Sequence, residues 1–84
     1  MDITHEELKQ RYGIDYAELH LTPRGGGGRA WPPAWKVSAQ SLFVNGFLPV
    51  EIKKILDGPG ADTIYNWVQD EDWISERDRF QREL

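Results

Sequence analysis

The chain contains no cysteine, which excludes a disulfide framework and a thiolate metal site and makes a reducing cytoplasm the expected setting. It also lacks any apolar run approaching the roughly 20 residues that cross a bilayer. The N-terminus opens on Asp2, Glu6 and Glu7 rather than on a basic and then apolar stretch, so neither export nor a membrane partner is expected. His5 and His20 are the only imidazoles and stand at no metal-ligand spacing. With no thiol nucleophile beside them, no metal, cofactor or enzymatic activity is expected. The glycine run lacks the Gly-Lys-Ser/Thr that lets a loop hold nucleotide phosphates, and Asp70-Glu71-Asp72 lacks the alternating spacing of a calcium loop. Basic charge is scarce too, with 10 Lys and Arg against 14 acids and a net charge of -4.

The acids are unevenly placed. Residues 1–22 carry five against Lys9 and Arg11, and residues 70–84 carry six against three arginines. Between them, residues 23–36 hold Arg24, Arg29 and Lys36 with no acid. The middle of the chain is therefore mildly positive and its ends are acidic.

What the chain has in quantity is aromatic surface: four Trp, three Tyr and three Phe in 84 residues. A domain this short buries only about 60–65 per cent of the surface its unfolded chain exposes, and each buried ring removes on the order of 150–250 Å² from water. The rings are expected to take over the stabilising role that disulfides hold in other small domains.

Thr4-His5-Glu6-Glu7 has capping-box spacing and predicts a helix from about His5 to Tyr12, with Leu8 and Tyr12 on one face and Gly13 as its stop. Another turn is expected within Asp15 to Leu21. Pro23-Arg24 through four successive glycines to Arg29 reads as a linker, because ordering glycine loses the most backbone entropy. Trp31-Pro32-Pro33-Ala34-Trp35 is expected to be extended, since proline displaces the residue before it from the helical region. The two tryptophans would then cover a core edge.

From Ser38, a possible cap, the pattern turns helical: Ala39, Leu42 and Phe43 recur at i, i+3, i+4 until Gly46. Phe47 is placed to pack back on Leu42. Pro49 suits a first helical position, with Ile52, Ile55 and Leu56 as the stripe that follows. Asp57-Gly58-Pro59-Gly60 must turn. A third helix then buries Ile64, Trp67 and Val68 and turns Asp62, Asn66 and Gln69 outward, Asp62 being read as its cap and Tyr65 as a core-edge ring. A break is expected near residues 70–72, where acids would oppose the helix dipole. Trp73, Phe80 and Leu84 then recur at heptad-like spacing along a last helix.

The fold class that follows is all-α, a small helix-turn-helix three-helix core with a short N-terminal helix and a C-terminal helix. By segment, residues 1–22 form the N-terminal helical part, 23–35 a Gly/Pro-rich linker, 36–73 the helix-turn-helix domain and 74–84 a helix for oligomerisation or connection.

Two short helices around a glycine turn, the second with a polar face backed by an apolar stripe, make a helix-turn-helix. The string Leu48-Pro49-Val50-Glu51-Ile52-Lys53-Lys54-Ile55-Leu56, then the turn, then Asp62-Thr63-Ile64-Tyr65-Asn66-Trp67 and Asp72-Trp73 resembles the N-terminal DNA-binding domain of phage terminase small subunits. Related strings occur in resolvase-like and transposase domains. The resemblance covers about 40 of the 84 residues. It departs from the family pattern at Lys53, where a small residue is usual, at a turn one residue longer, and at Leu48 in place of a Ser or Thr cap.

The resemblance implies double-stranded DNA as partner, recognition of packaging-initiation DNA, a terminase large subunit as second partner, a homo-oligomer, and a phage or prophage origin in the bacterial cytoplasm. By analogy Thr63, Asn66 and Gln69 are candidates for base edges or phosphates. Lys36, Lys53 and Lys54 would hold the phosphate backbone, and Arg24 and Arg29 would form an arm in the adjacent groove. Two alternatives stand beside this reading. One is a transcription regulator or transposase-type DNA-binding domain. The other is a protein-interaction adaptor that uses the same scaffold without DNA, which the negative charge and cation-free second helix favour.

Overall fold

The computed structural model describes residues 3–21 and 31–83, and within them six helices and no strand. The fold is all-α, as the periodicity requires. Helix α1 (His5–Tyr12) starts where Thr4 leaves extended backbone and its Oγ1 accepts the Glu7 amide at 3.1 Å. The reciprocal half of the box is altered, because the Glu7 carboxylate receives the Thr4 hydroxyl instead of the Thr4 amide. Gly13, at φ 67°, closes α1 by donating to Leu8 and Lys9 carbonyls. Helix α2 (Tyr16–Leu21) begins beyond Asp15, whose Oδ1 accepts the Glu18 amide at 3.0 Å.

Helix α3 (Pro33–Val44) corrects the extended reading of residues 31–35. Pro32 is extended, at ψ 147°, because Pro33 follows it, and Pro33 itself occupies the first turn, where no amide donor is needed. Ala34 and Trp35 precede no proline, so nothing holds them out of the helical region. Ser38 therefore lies inside the helix and is not its cap. Trp35 enters the core at 2 % exposure, while Trp31 packs edge-on against it with ring centroids 5.1 Å apart.

Gly46, at φ 104°, takes a conformation that would strain any other residue type. It turns the chain so that the Phe47 amide reaches the Leu42 carbonyl at 3.1 Å. Phe47 meets the edge of Tyr12 at 5.7 Å, and this contact ties α1 to the end of α3. Helix α4 (Pro49–Leu56) has no polar cap side chain, but the Glu51 carboxylate accepts the Leu48 amide at 3.0 Å and so supplies one half of a box. Asp57, in the left-handed region at φ 52°, stops it. Helix α5 (Ala61–Asp70) follows with Gly60 as cap, and a second left-handed aspartate, Asp72 at φ 53°, separates it from α6 (Trp73–Glu83). The expected break at 70–72 falls there. The Asp72 carboxylate accepts the Ser75 hydroxyl at 2.9 Å.

One continuous core joins all six helices. Ala39, Leu42, Phe43, Ile52, Leu56, Ile64, Val68 and Trp73 pack with Leu8, Ile14 and Leu19 from the first 22 residues. Helix α6 lies on α3, where Gln81 Nε2 donates to the Val44 carbonyl at 3.1 Å and the Arg77 guanidinium stands 4.8 Å above the Phe43 ring. Phe80 is partly buried there, while Leu84, its expected heptad successor, lies outside the described residues.

A histidine bridges the N-terminal helices to the motif. His20 Nε2 sits 2.8 Å from the Leu56 carbonyl, the end of α4 that has no helical donor, and its ring meets Trp35 edge-on at 4.9 Å. His20→Ala should therefore lose about 0.5–1.5 kcal/mol. A thermal melt should fall by roughly 4–8 °C per kcal/mol in a domain of this size. An unchanged melting temperature would contradict the bridge.

Candidate nucleic-acid interface

Helices α4 and α5, with residues 57–60 between them, form the helix-turn-helix pair. The turn is held from beneath: Pro59 is fully buried and Gly58 lies against the Trp35 ring, at a separation that leaves no room for a side chain. On α5, Ile64 and Val68 are buried and Trp67 is partly buried against the core. A rotation of 100° per residue then carries Asp62, Tyr65, Asn66 and Gln69 to the opposite side, and all four are exposed.

Asn66 and Gln69 occupy the outward positions that the periodicity predicts, and neither side chain holds a hydrogen bond to any described residue. Thr63 is half-buried, a sixth of a turn or more aside from Asn66, on the flank of the face. Asp62 does not cap the helix. Gly60 takes the cap position, and the Asp62 carboxylate is left exposed in the first turn, where the helix dipole favours an anion.

Tyr65, expected as a core-edge ring, is instead on the outward side. It is 55 % exposed, at one edge of the outward face. The signal was available, since Tyr65 stands three residues after Asp62 and four before Gln69, on the polar side of the helical wheel.

The expected phosphate contacts divide. Lys53 and Lys54 are exposed on α4 and carry no ion pair among the described residues. Lys36 is committed elsewhere: its ammonium pairs with the Glu71 carboxylate and lies 5.8 Å from the centroid of the Trp67 ring, clamping α3 to the end of α5. Arg24 and Arg29 lie outside the described residues. Asp62 and Asp70 leave the outward side of α5 acidic and without a cation.

No group of three or more potential metal ligands occurs among the described residues, and no helix there is long and apolar enough to cross a membrane. Compared with protein-family models, curated proteins and solved structures, the chain gives no match.

Proposed function

We propose that the chain is a helix-turn-helix module for double-stranded DNA, of the kind with which terminase small subunits recognise packaging-initiation DNA. In this reading α5 enters the major groove, and Lys53 and Lys54 hold flanking phosphates. The observation that carries it is the outward pair Asn66 and Gln69, one turn apart, exposed and unbonded on the second helix of the motif. Solvent-exposed amides with no internal partner are the groups that pair bidentately with a base edge. The packaging role, the large-subunit partner, and the phage and bacterial setting rest on the sequence resemblance. A homo-oligomer fits the same reading, because a module with few cations binds weakly and linked copies multiply affinity.

One observation favours a different class. The acids Asp62 and Asp70 on the outward side, together with the engagement of Lys36 by Glu71, suit an adaptor that offers this helix to a basic protein surface.

A titration of labelled duplex at rising salt separates the two readings. The DNA reading predicts that log affinity falls linearly with log salt, by about 0.9 for each phosphate engaged. Lys53→Ala and Lys54→Ala should each lower the slope by about 1. Absence of binding at about 50 mM salt, where phosphate contacts are strongest, would remove the DNA reading and leave the adaptor.

A further inference from the structure

The outward face of α5 has a composition that narrows which bases it can satisfy. Asp62, Tyr65, Asn66 and Gln69 fall within about 100° of the helix circumference, all are exposed, and none of their side chains is hydrogen-bonded or ion-paired to another described residue. Two are carboxamides, each a donor and an acceptor. One is a carboxylate that only accepts, and one is a phenol with a donor and a flat apolar ring.

The major groove presents a different request at each base. Adenine offers an N7 acceptor beside an N6 donor, which a carboxamide answers with both of its atoms. Guanine offers two acceptors, N7 and O6, and calls for the paired donors of an arginine or lysine. The face holds neither, and the Asp62 carboxylate would stand against guanine's two acceptors without a proton to give. Thymine offers O4 and a methyl group, to which the Tyr65 hydroxyl and ring are complementary. Cytosine's N4 donor would suit Asp62, but its partner guanine presents O6 and N7 in the same groove.

We propose that the Asp62–Tyr65–Asn66–Gln69 face selects adenine–thymine pairs and discriminates against guanine–cytosine at the positions beneath Asn66 and Gln69. This rests on the DNA reading above and adds the class of target. It also makes Tyr65 a specificity residue alongside the two amides. A lost bidentate pair corresponds to roughly five- to 150-fold in affinity.

The test is selection by the full chain from a pool of random duplexes at low salt, followed by replacement of the selected adenines with 7-deazaadenine. That analogue keeps Watson–Crick pairing and removes only the N7 acceptor. The expected result is enrichment of adenine–thymine pairs at neighbouring positions. Affinity should then fall at least fivefold on 7-deaza substitution, and the fall should disappear in Asn66→Ala or Gln69→Ala, whose exposed sites leave the fold intact by circular dichroism.

Enrichment of guanine–cytosine pairs would overturn the proposal. So would a 7-deaza effect of equal size in both variants and the parent, or duplex binding with no base preference; in each of these cases DNA binding itself would stand. If no duplex were retained at any salt, the DNA reading would fail and this inference with it.

Discussion

Replacing Trp73 by alanine is expected to cost about 3–5 kcal/mol, a large part of the roughly 4–12 kcal/mol that holds a domain of this length together. Trp73 is fully buried, between Phe43 of α3 at 6.1 Å and Trp67 of α5 at 6.2 Å between ring centroids. Its ring, at the start of α6, therefore meets α3 and α5 together. Truncation leaves a cavity bounded by three helices that are tied by other contacts and cannot collapse fully onto it. The loss should appear as a broad, much earlier thermal transition followed by circular dichroism. Trp73→Phe should be far milder, because a ring remains and the indole Nε1, which has no hydrogen-bond partner among the described residues, is removed with the larger ring. A Trp73→Ala protein melting within a few degrees of the parent would contradict the placement of α6.

The second large effect is expected at Gly58. Its backbone is not in the left-handed region, so alanine is conformationally acceptable there, and an exposed turn glycine of that kind commonly gains about 0.4–1 kcal/mol on such a change. Here the sign should reverse. A Cβ would stand 2.7 Å from Trp35 Cη2, and the ring is held in place at 2 % exposure. Overpacking of a rigid ring typically costs about 1–3 kcal/mol. Because the clash has one identifiable partner, it should vanish when that partner shrinks. In a Trp35→Leu background the Gly58→Ala change should be close to neutral, giving a non-additive cycle in denaturant melts. A neutral or stabilising Gly58→Ala in the parent would show that Trp35 does not support the turn.

That contact also shows where sequence reading ran out. The helix-turn-helix pair was legible because its signals are local: Pro49 at a first position, Asp57-Gly58-Pro59-Gly60 as a forced turn, and apolar spacing that fixes which side of α5 is buried. The Thr4 cap and the Gly13 stop were legible for the same reason. The start of α3 was not, because a Pro-Pro pair constrains both the residue before it and the turn after it. The two point in opposite directions, and here Pro33 starts a helix as Pro49 does.

Long-range packing left no periodic trace. Nothing in the spacing of Leu8, Ile14 and Leu19 says that they join a core built from residues 39–73 across a glycine-rich stretch, or that His20 meets the end of α4. The candidate interface was half legible. Periodicity placed Asn66 and Gln69 outward, but it could not foresee the commitment of Lys36 to Glu71, a contact between α3 and the end of α5. Tyr65 was legible too, because the helical wheel sets its ring on the polar side of α5, where it is exposed.

The most direct measurement is an amide-resolved NMR titration of the full chain with duplex DNA at low salt. DNA docked on α5 predicts shifts concentrated at Lys53, Lys54, Asp62, Tyr65, Asn66 and Gln69, with α6 and the outer side of α3 unmoved. Shifts confined to α3 and α6, or a spectrum indifferent to DNA, would contradict it.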